Sequence, residues 1–141
     1  MMQPDPSNQT STTAALCEYT LIHDQIHQLC LNTPNRAGVD TLFQLAGALM
    51  DDKLPSDPVM RFLFDFPHGM GPFTHTLKAG TAFTKHYDQR PATRSVFLFK
   101  DETNLHLIDM LIKLMRLSRD RVRFLNRSQR DAAIEWLLSN D

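Results

Sequence analysis

The amino-acid sequence predicts a single α/β domain, a mostly parallel β-sheet that opens with an N-terminal β-hairpin and carries four helices. Three observations predict it. Segments of alternating or continuous apolar residues take turns with segments of helical periodicity, in the order β-β-α-β-α-β-α-β-α. Strands joined through helices need right-handed crossovers, which make them parallel neighbours. The stretch Val59–Phe66 is apolar toward both faces, as a covered central strand must be. Finally, 141 residues suffice for one hydrophobic core and not for a second of ordinary size.

Residues 1–13 are polar, contain proline and show no period, so they read as a mobile tail ahead of a domain spanning 14–141. From Leu16 to Leu31 a two-residue alternation runs on both sides of His23-Asp24-Gln25, the pattern of a hairpin whose turn lacks Asn-Gly or Asp-Gly. Asn32–Gly38 is a loop by composition. Val39, Leu42, Phe43, Ala46, Leu49 and Met50 share one face of a helix over 39–51. After Leu54–Pro58, Met60, Phe62, Phe64 and Phe66 line one side of a strand. Pro67–Pro72 is a turn-rich loop leading to a helix from Phe73 to Gln89, which ends before Pro91. Ser95–Lys100 is a second buried strand, Asp101–Ser118 a long helix, and Arg121–Leu125 a short strand whose alternating arginines mark it as a sheet edge. Ser128 is expected to cap a last helix that turns Ile134, Leu137 and Leu138 inward.

Composition narrows the function classes. Apolar residues make up 42% and charged residues 22%, with a net charge of −1, so no global field marks a nucleic-acid binder. No apolar run is long enough to span a bilayer, and the start lacks the basic and apolar regions of a signal peptide. Cys17 and Cys30 fit packed thiols of a reducing compartment better than a disulfide framework, so a cytoplasmic location is expected. No nucleophile elbow is present, and the paired carboxylates Asp51-Asp52 and Asp101-Glu102 sit at helix ends, where solvated or capping roles explain them. The sequence therefore predicts neither an enzyme nor a resident cofactor.

Two places attract functional attention. The loop leaving the central strand contains Asp65, His68, Gly69, Gly71, Thr74 and His75. Loops at the carboxyl ends of parallel strands are where open α/β sheets hold ligands, and glycines before a helix let an anion approach backbone N–H groups. Asp65 with His68 and His75, or His23, His27 and Cys30, are ligand types for a metal, but neither spacing matches a metal signature, and none is assigned. The second place is the long helix. His106, Asp109, Lys113 and Arg116 form one polar stripe, Ile108, Leu111 and Met115 lie opposite, and Met110, Leu114 and Leu117 remain beside the stripe. That apolar arc is wider than a sheet contact needs, so Met110, Leu114 and Leu117 are candidates for contact with a protein partner or a second copy. Six of the ten arginines also fall within 116–130, a candidate basic rim.

The element order, the strand Arg61-Phe-Leu-Phe-Asp65, the strand Val96–Phe99 and the closing Val122-Arg-Phe-Leu with Ala132-Ala-Ile-Glu-Trp136-Leu-Leu together resemble the STAS/SpoIIAA-like domain family over about residues 16–140. The resemblance implies a SpoIIAA-like fold and a non-enzymatic regulatory module working through protein contacts, as in stand-alone bacterial members. The family's antagonists carry a phosphorylated Ser where the helix after the third strand begins. The matching stretch here, Pro67–Thr74, has no such motif, leaving Thr74 or Thr76 as the nearest hydroxyls. The alternative expectation is a small lipid-like or anionic ligand bound near residues 65–76, with Phe66, Met70, Phe73 and Phe83 as pocket walls.

Overall fold

The computed structural model describes residues 16–53, 59–86, 93–100, 113 and 121–139. Their elements are β1 (Cys17–Ile22), β2 (Ile26–Leu31), α1 (Arg36–Lys53), β3 (Met60–Asp65), α2 (Phe73–His86), β4 (Thr93–Phe99), β5 (Val122–Asn126) and α3 (Arg130–Leu138), with a 3₁₀ turn at Arg127–Gln129 leading into α3. The strands form one sheet in the order β1-β2-β3-β4-β5. β1 is antiparallel to β2, and every later pair is parallel. The α/β class, the opening hairpin and the mostly parallel sheet are as the sequence predicts, with three α-helices among the described residues. The tail 1–13 and, apart from Lys113, the expected helix 101–118 with its residues Met110, Leu114 and Leu117 lie outside the described residues.

Each crossover moves one strand over in the same direction. Repeating one hand of crossover in one direction stacks the connecting helices on one face, and α1 and α2 do pack together there. α3 follows the last strand and closes the opposite face against β2–β5. The side-chain period of two splits the core accordingly. Leu29, Leu31, Met60, Phe62 and Phe64 point to α1, joined by Val39, Leu42, Ala46 and Met50. Ile26, Leu63, Val96 and Leu98 point to α3, joined by Ala133 and Leu137. Each such fully buried side chain is worth about 1.5–3 kcal/mol relative to exposure.

Local chemistry sets the element ends. The hairpin turn uses His23 at φ 51° and Asp24 at φ 57°, left-handed conformations that His and Asp tolerate better than most residues. That is how the turn closes without glycine. α1 begins at Arg36, three residues before the apolar period does, because Asn35 accepts the Gly38 N–H at 2.8 Å and caps the helix. Gly38 admits no side chain, since a Cβ there would lie 1.9 Å from the Thr33 carbonyl oxygen. At α3 the expected cap moves. Asn126 rather than Ser128 is the capping residue, accepting the Ser128 N–H at 2.8 Å while its own N–H donates to Gln129 Oε1 at 3.0 Å. The 3₁₀ turn starts the helical path earlier and makes Ser128 part of it. The other end of α3 is closed by cations from the sheet: Arg61 donates to the Leu137 carbonyl at 2.7 Å and Arg94 to the Ser139 carbonyl at 2.6 Å.

Candidate functional site

The residues singled out around the β3–α2 loop do not form one site. β3 turns even-numbered side chains to α1 and odd-numbered ones to α3, so Asp65 points to the α3 face. His68 and Thr74 are exposed, and His75 Nε2 lies 2.8 Å from Asp40 Oδ1 of α1, a half-exposed pairing that joins α2 to α1. Gly69 and Gly71 take φ of 104° and 87°, so the glycines shape the loop. Gly71 in addition sits where a Cβ would come within 2.8 Å of Val39 Cγ2. Thr76 is buried and donates to the Met70 carbonyl at 2.8 Å, which fixes the loop's exit and takes this hydroxyl out of solvent. Thr74 is the hydroxyl left on the surface at the start of α2.

What Asp65 meets instead is a polar cluster across the carboxyl edge of the sheet. Arg127, just after β5, donates through Nε to Oδ1 at 2.7 Å and through a terminal nitrogen to Oδ2 at 3.1 Å. The fork spans β4 and ties the end of β5 to β3. The Asp65 side chain is 7% exposed and that of Arg127 is 45% exposed, so a buried carboxylate holds a cation whose outer side meets water. This hydrogen bond raises the Arg127 pKa and keeps the guanidinium charged. Cys30, paired in register with Asp65, places its thiol 3.3 Å from Asn32 Oδ1 and 3.9 Å from Asp65 Oδ2. Burial first, then the Asp65 and Glu18 carboxylates, push the Cys30 thiol up to about 11. Such a thiol stays protonated at neutral pH and is a poor nucleophile. Burial likewise pushes Cys17 up to about 12. The two cysteines are free, and one-residue offset in the hairpin register turns them to opposite faces of the sheet.

Among the described residues no group of three or more His, Cys, Asp or Glu is placed to hold a metal ion, and no helix is long and apolar enough to cross a membrane. Phe66 and Met70 do line an apolar cavity, with Val39, Phe43, Phe97 and Phe124 among its other walls, but its volume is about 30 Å³. That is room for a water-sized molecule and not for an acyl chain. Phe83 packs against Phe43 instead, with ring centres 5.5 Å apart. A broad open groove between α1 and α2 has Gly47, Ala48, Ala79 and Ala82 in its walls and Asp40, Asp51 and His86 at its margin. The arginine-rich end of the chain is partly spent on internal contacts: Arg123 stacks on the Trp136 ring at 4.7 Å, which Arg94 of β4 also covers at 4.3 Å, and Arg127 is paired with Asp65.

The feature that sequence reasoning passed over is the outer side of β1. Among the described residues Tyr19 (39%) and Leu21 (46%) are the large apolar side chains left exposed, and both lie on β1, two residues apart on one face. Tyr19 is held in place: its hydroxyl shares a 2.8 Å hydrogen bond with Nδ1 of the buried His27, and the two rings stack at 5.9 Å. It is the outer end of a ladder of rings running through His27, Phe62, Phe64 and Phe97 to Phe124, one or two from every strand. Among the described residues no strand pairs with the outer backbone of β1. Leu16 accepts from Asn32 N–H at 3.0 Å, toward β2. Backbone direction alternates along a strand, so Glu18, Thr20 and Ile22 also face β2, and the amide and carbonyl groups of Cys17, Tyr19 and Leu21 face outward. The signal for this was the parity of Tyr19 and Leu21, which identifies a face only once β1 is known to be terminal in the sheet.

No family model, curated protein or solved structure matches the chain, so its architecture and these sites are what bear on its function.

Proposed function

We propose that this chain is a non-enzymatic protein-interaction module, of the STAS-like regulatory kind, that docks partners through the open edge of its sheet. The carrying observation is the outer face of β1, where a row of outward backbone donors and acceptors coincides with Tyr19 and Leu21. Such an edge is a template for an added strand: the main chain supplies affinity and alternate side chains supply specificity. The strand order and the stacking of α1 and α2 on one face support the STAS-like reading, and the surface position of Thr74 leaves a hydroxyl near the place where that family carries its switch. The polar cluster supports a module rather than a catalyst, because its carboxylate is already matched to Arg127 and its thiol is held protonated. The small cavity gives the apolar-carrier alternative little room.

The test is site-specific photo-crosslinking in cells of the source organism, with a benzophenone side chain at position 21 and, as a control, at the exposed position 131 of α3. Protein adducts are expected at 21 and not at 131. Absence of any protein adduct at 21 rejects the interaction reading.

A further inference from the structure

The two edges of the sheet are treated differently. β5 carries Arg121 just before it and Arg123 within it, charges that discourage strand addition, and Arg123 folds onto Trp136. β1 has a single charged side chain, Glu18, and turns Tyr19 and Leu21 outward in its place. Protection at one edge and apolar display at the other mark β1 as the side built to be covered.

From the register available to β1 we infer that its partner is a second copy of this chain, added antiparallel about a two-fold axis that passes through Thr20. This deepens the interaction reading and rests on it. A two-fold perpendicular to the sheet pairs residues of equal parity, and only Cys17, Tyr19 and Leu21 have outward hydrogen-bonding groups, which leaves two central registers. With Thr20 opposite Thr20, Tyr19 of each copy faces Leu21 of the other. Both pairs exchange two main-chain hydrogen bonds, and the exposed apolar side chains cover each other on the α1 face. Glu18 then lies opposite Ile22, apart from its counterpart. With Tyr19 opposite Tyr19, Leu21 would face Cys17, which is 1% exposed and has nothing left to bury. The first register leaves the outward groups of Cys17 unpaired, but it sets each exposed apolar side chain against the other, and that match decides for it. The two sheets become one continuous sheet of ten strands, and the ring ladders of the two copies meet at their Tyr19 ends.

The strand is six residues long, so the interface is small and the dissociation constant falls in the micromolar range. Sedimentation velocity of the full chain up to about 100 μM should show a monomer–dimer equilibrium, and Leu21→Lys should weaken it by at least about tenfold. Circular dichroism at a concentration where both chains are monomeric should show L21K folded with an unchanged melting temperature, because position 21 is exposed. Register is read by Thr20→Cys under mild oxidation at pH 8: a non-hydrogen-bonded antiparallel pair brings its Cα atoms to about 4.5 Å, within disulfide reach. The native thiols, pushed up to about 12 and about 11, compete poorly. T20C should form a covalent dimer and Glu18→Cys should not. A chain that stays monomeric, or a dimer indifferent to L21K, overturns the self-pairing, and a dimer that T20C fails to lock overturns this register. Should self-pairing fail while position 21 still captures a different protein in cells, the interaction reading survives without it. If position 21 captures nothing, both fall.

Discussion

Breaking the Asp65–Arg127 fork from either side should have unequal costs, and the inequality follows from exposure. Arg127→Gln removes the cation from a carboxylate that is 7% exposed and whose other near neighbour is a thiol at 3.9 Å. Stranding one member of a fully buried pair costs about 3–5 kcal/mol, and an edge position puts this case at the lower end, about 3 kcal/mol. Asp65→Asn keeps the shape and one acceptor and leaves a guanidinium that is already 45% exposed and can turn to water. Its cost is that of a weakened hydrogen bond, about 1–1.5 kcal/mol. The double variant has neither a buried charge nor a stranded partner and should lose about 2.5 kcal/mol, so the coupling is about 2 kcal/mol. Urea unfolding followed by far-UV circular dichroism at pH 7 measures all four states of the cycle, with melting temperatures moving about 3 °C per kcal/mol. The reasoning is refuted if Arg127→Gln is no worse than Asp65→Asn, or if the coupling is below about 0.5 kcal/mol.

Three further outcomes follow from the same geometry. Gly71→Ala should destabilise by about 2–3 kcal/mol and Gly69→Ala by about 1 kcal/mol, because both have positive φ but only Gly71 would drive a Cβ into Val39; thermal melts rank them. Replacing His68 and His75 together by Ala should cost less than about 1 kcal/mol in urea and leave the β1 crosslinks unchanged, since the His75–Asp40 pair is half exposed. The two thiols should leave stability level between about pH 7 and about pH 9 and lower it above that, because the folded thiols hold their protons to about 11 and about 12 while unfolded ones release them near 9.0. Cys30→Ala should flatten part of that fall, and an unchanged profile would show that burial does not control the thiol.

The strands and the side each residue faces could be read from the sequence because a period of two is strictly local. Val59–Phe66 shows this: its two apolar faces predict a central strand, and β3 lies in the middle of the sheet. The same parity already separates Asp65 from Phe66 and therefore from the loop's other candidates. What was hidden is the partner of Asp65, 62 residues away and reached across β4, because no period in a sequence reports which side chains meet at the end of a parallel sheet. Caps were half legible. Asn35 and Asn126 are ordinary capping residues, but each acts ahead of the apolar period that marks its helix, so reading the period alone places the start late.

The edge of the sheet joins these lines of argument. An exposed Leu alone would mean little, since folded proteins leave much apolar surface in water. Tyr19 is different because its ring is ordered before any partner arrives: the His27 hydrogen bond and the stacked rings behind it fix its orientation. An aromatic side chain fixed in this way gives up little conformational freedom on docking, which is how a short strand achieves useful affinity. At the far end of the ladder Phe124 lies on β5, the edge that arginines guard. The ring ladder thus runs from a closed edge to an open one, and the strongest physical reason to look for function at β1 is that the core itself positions what β1 displays.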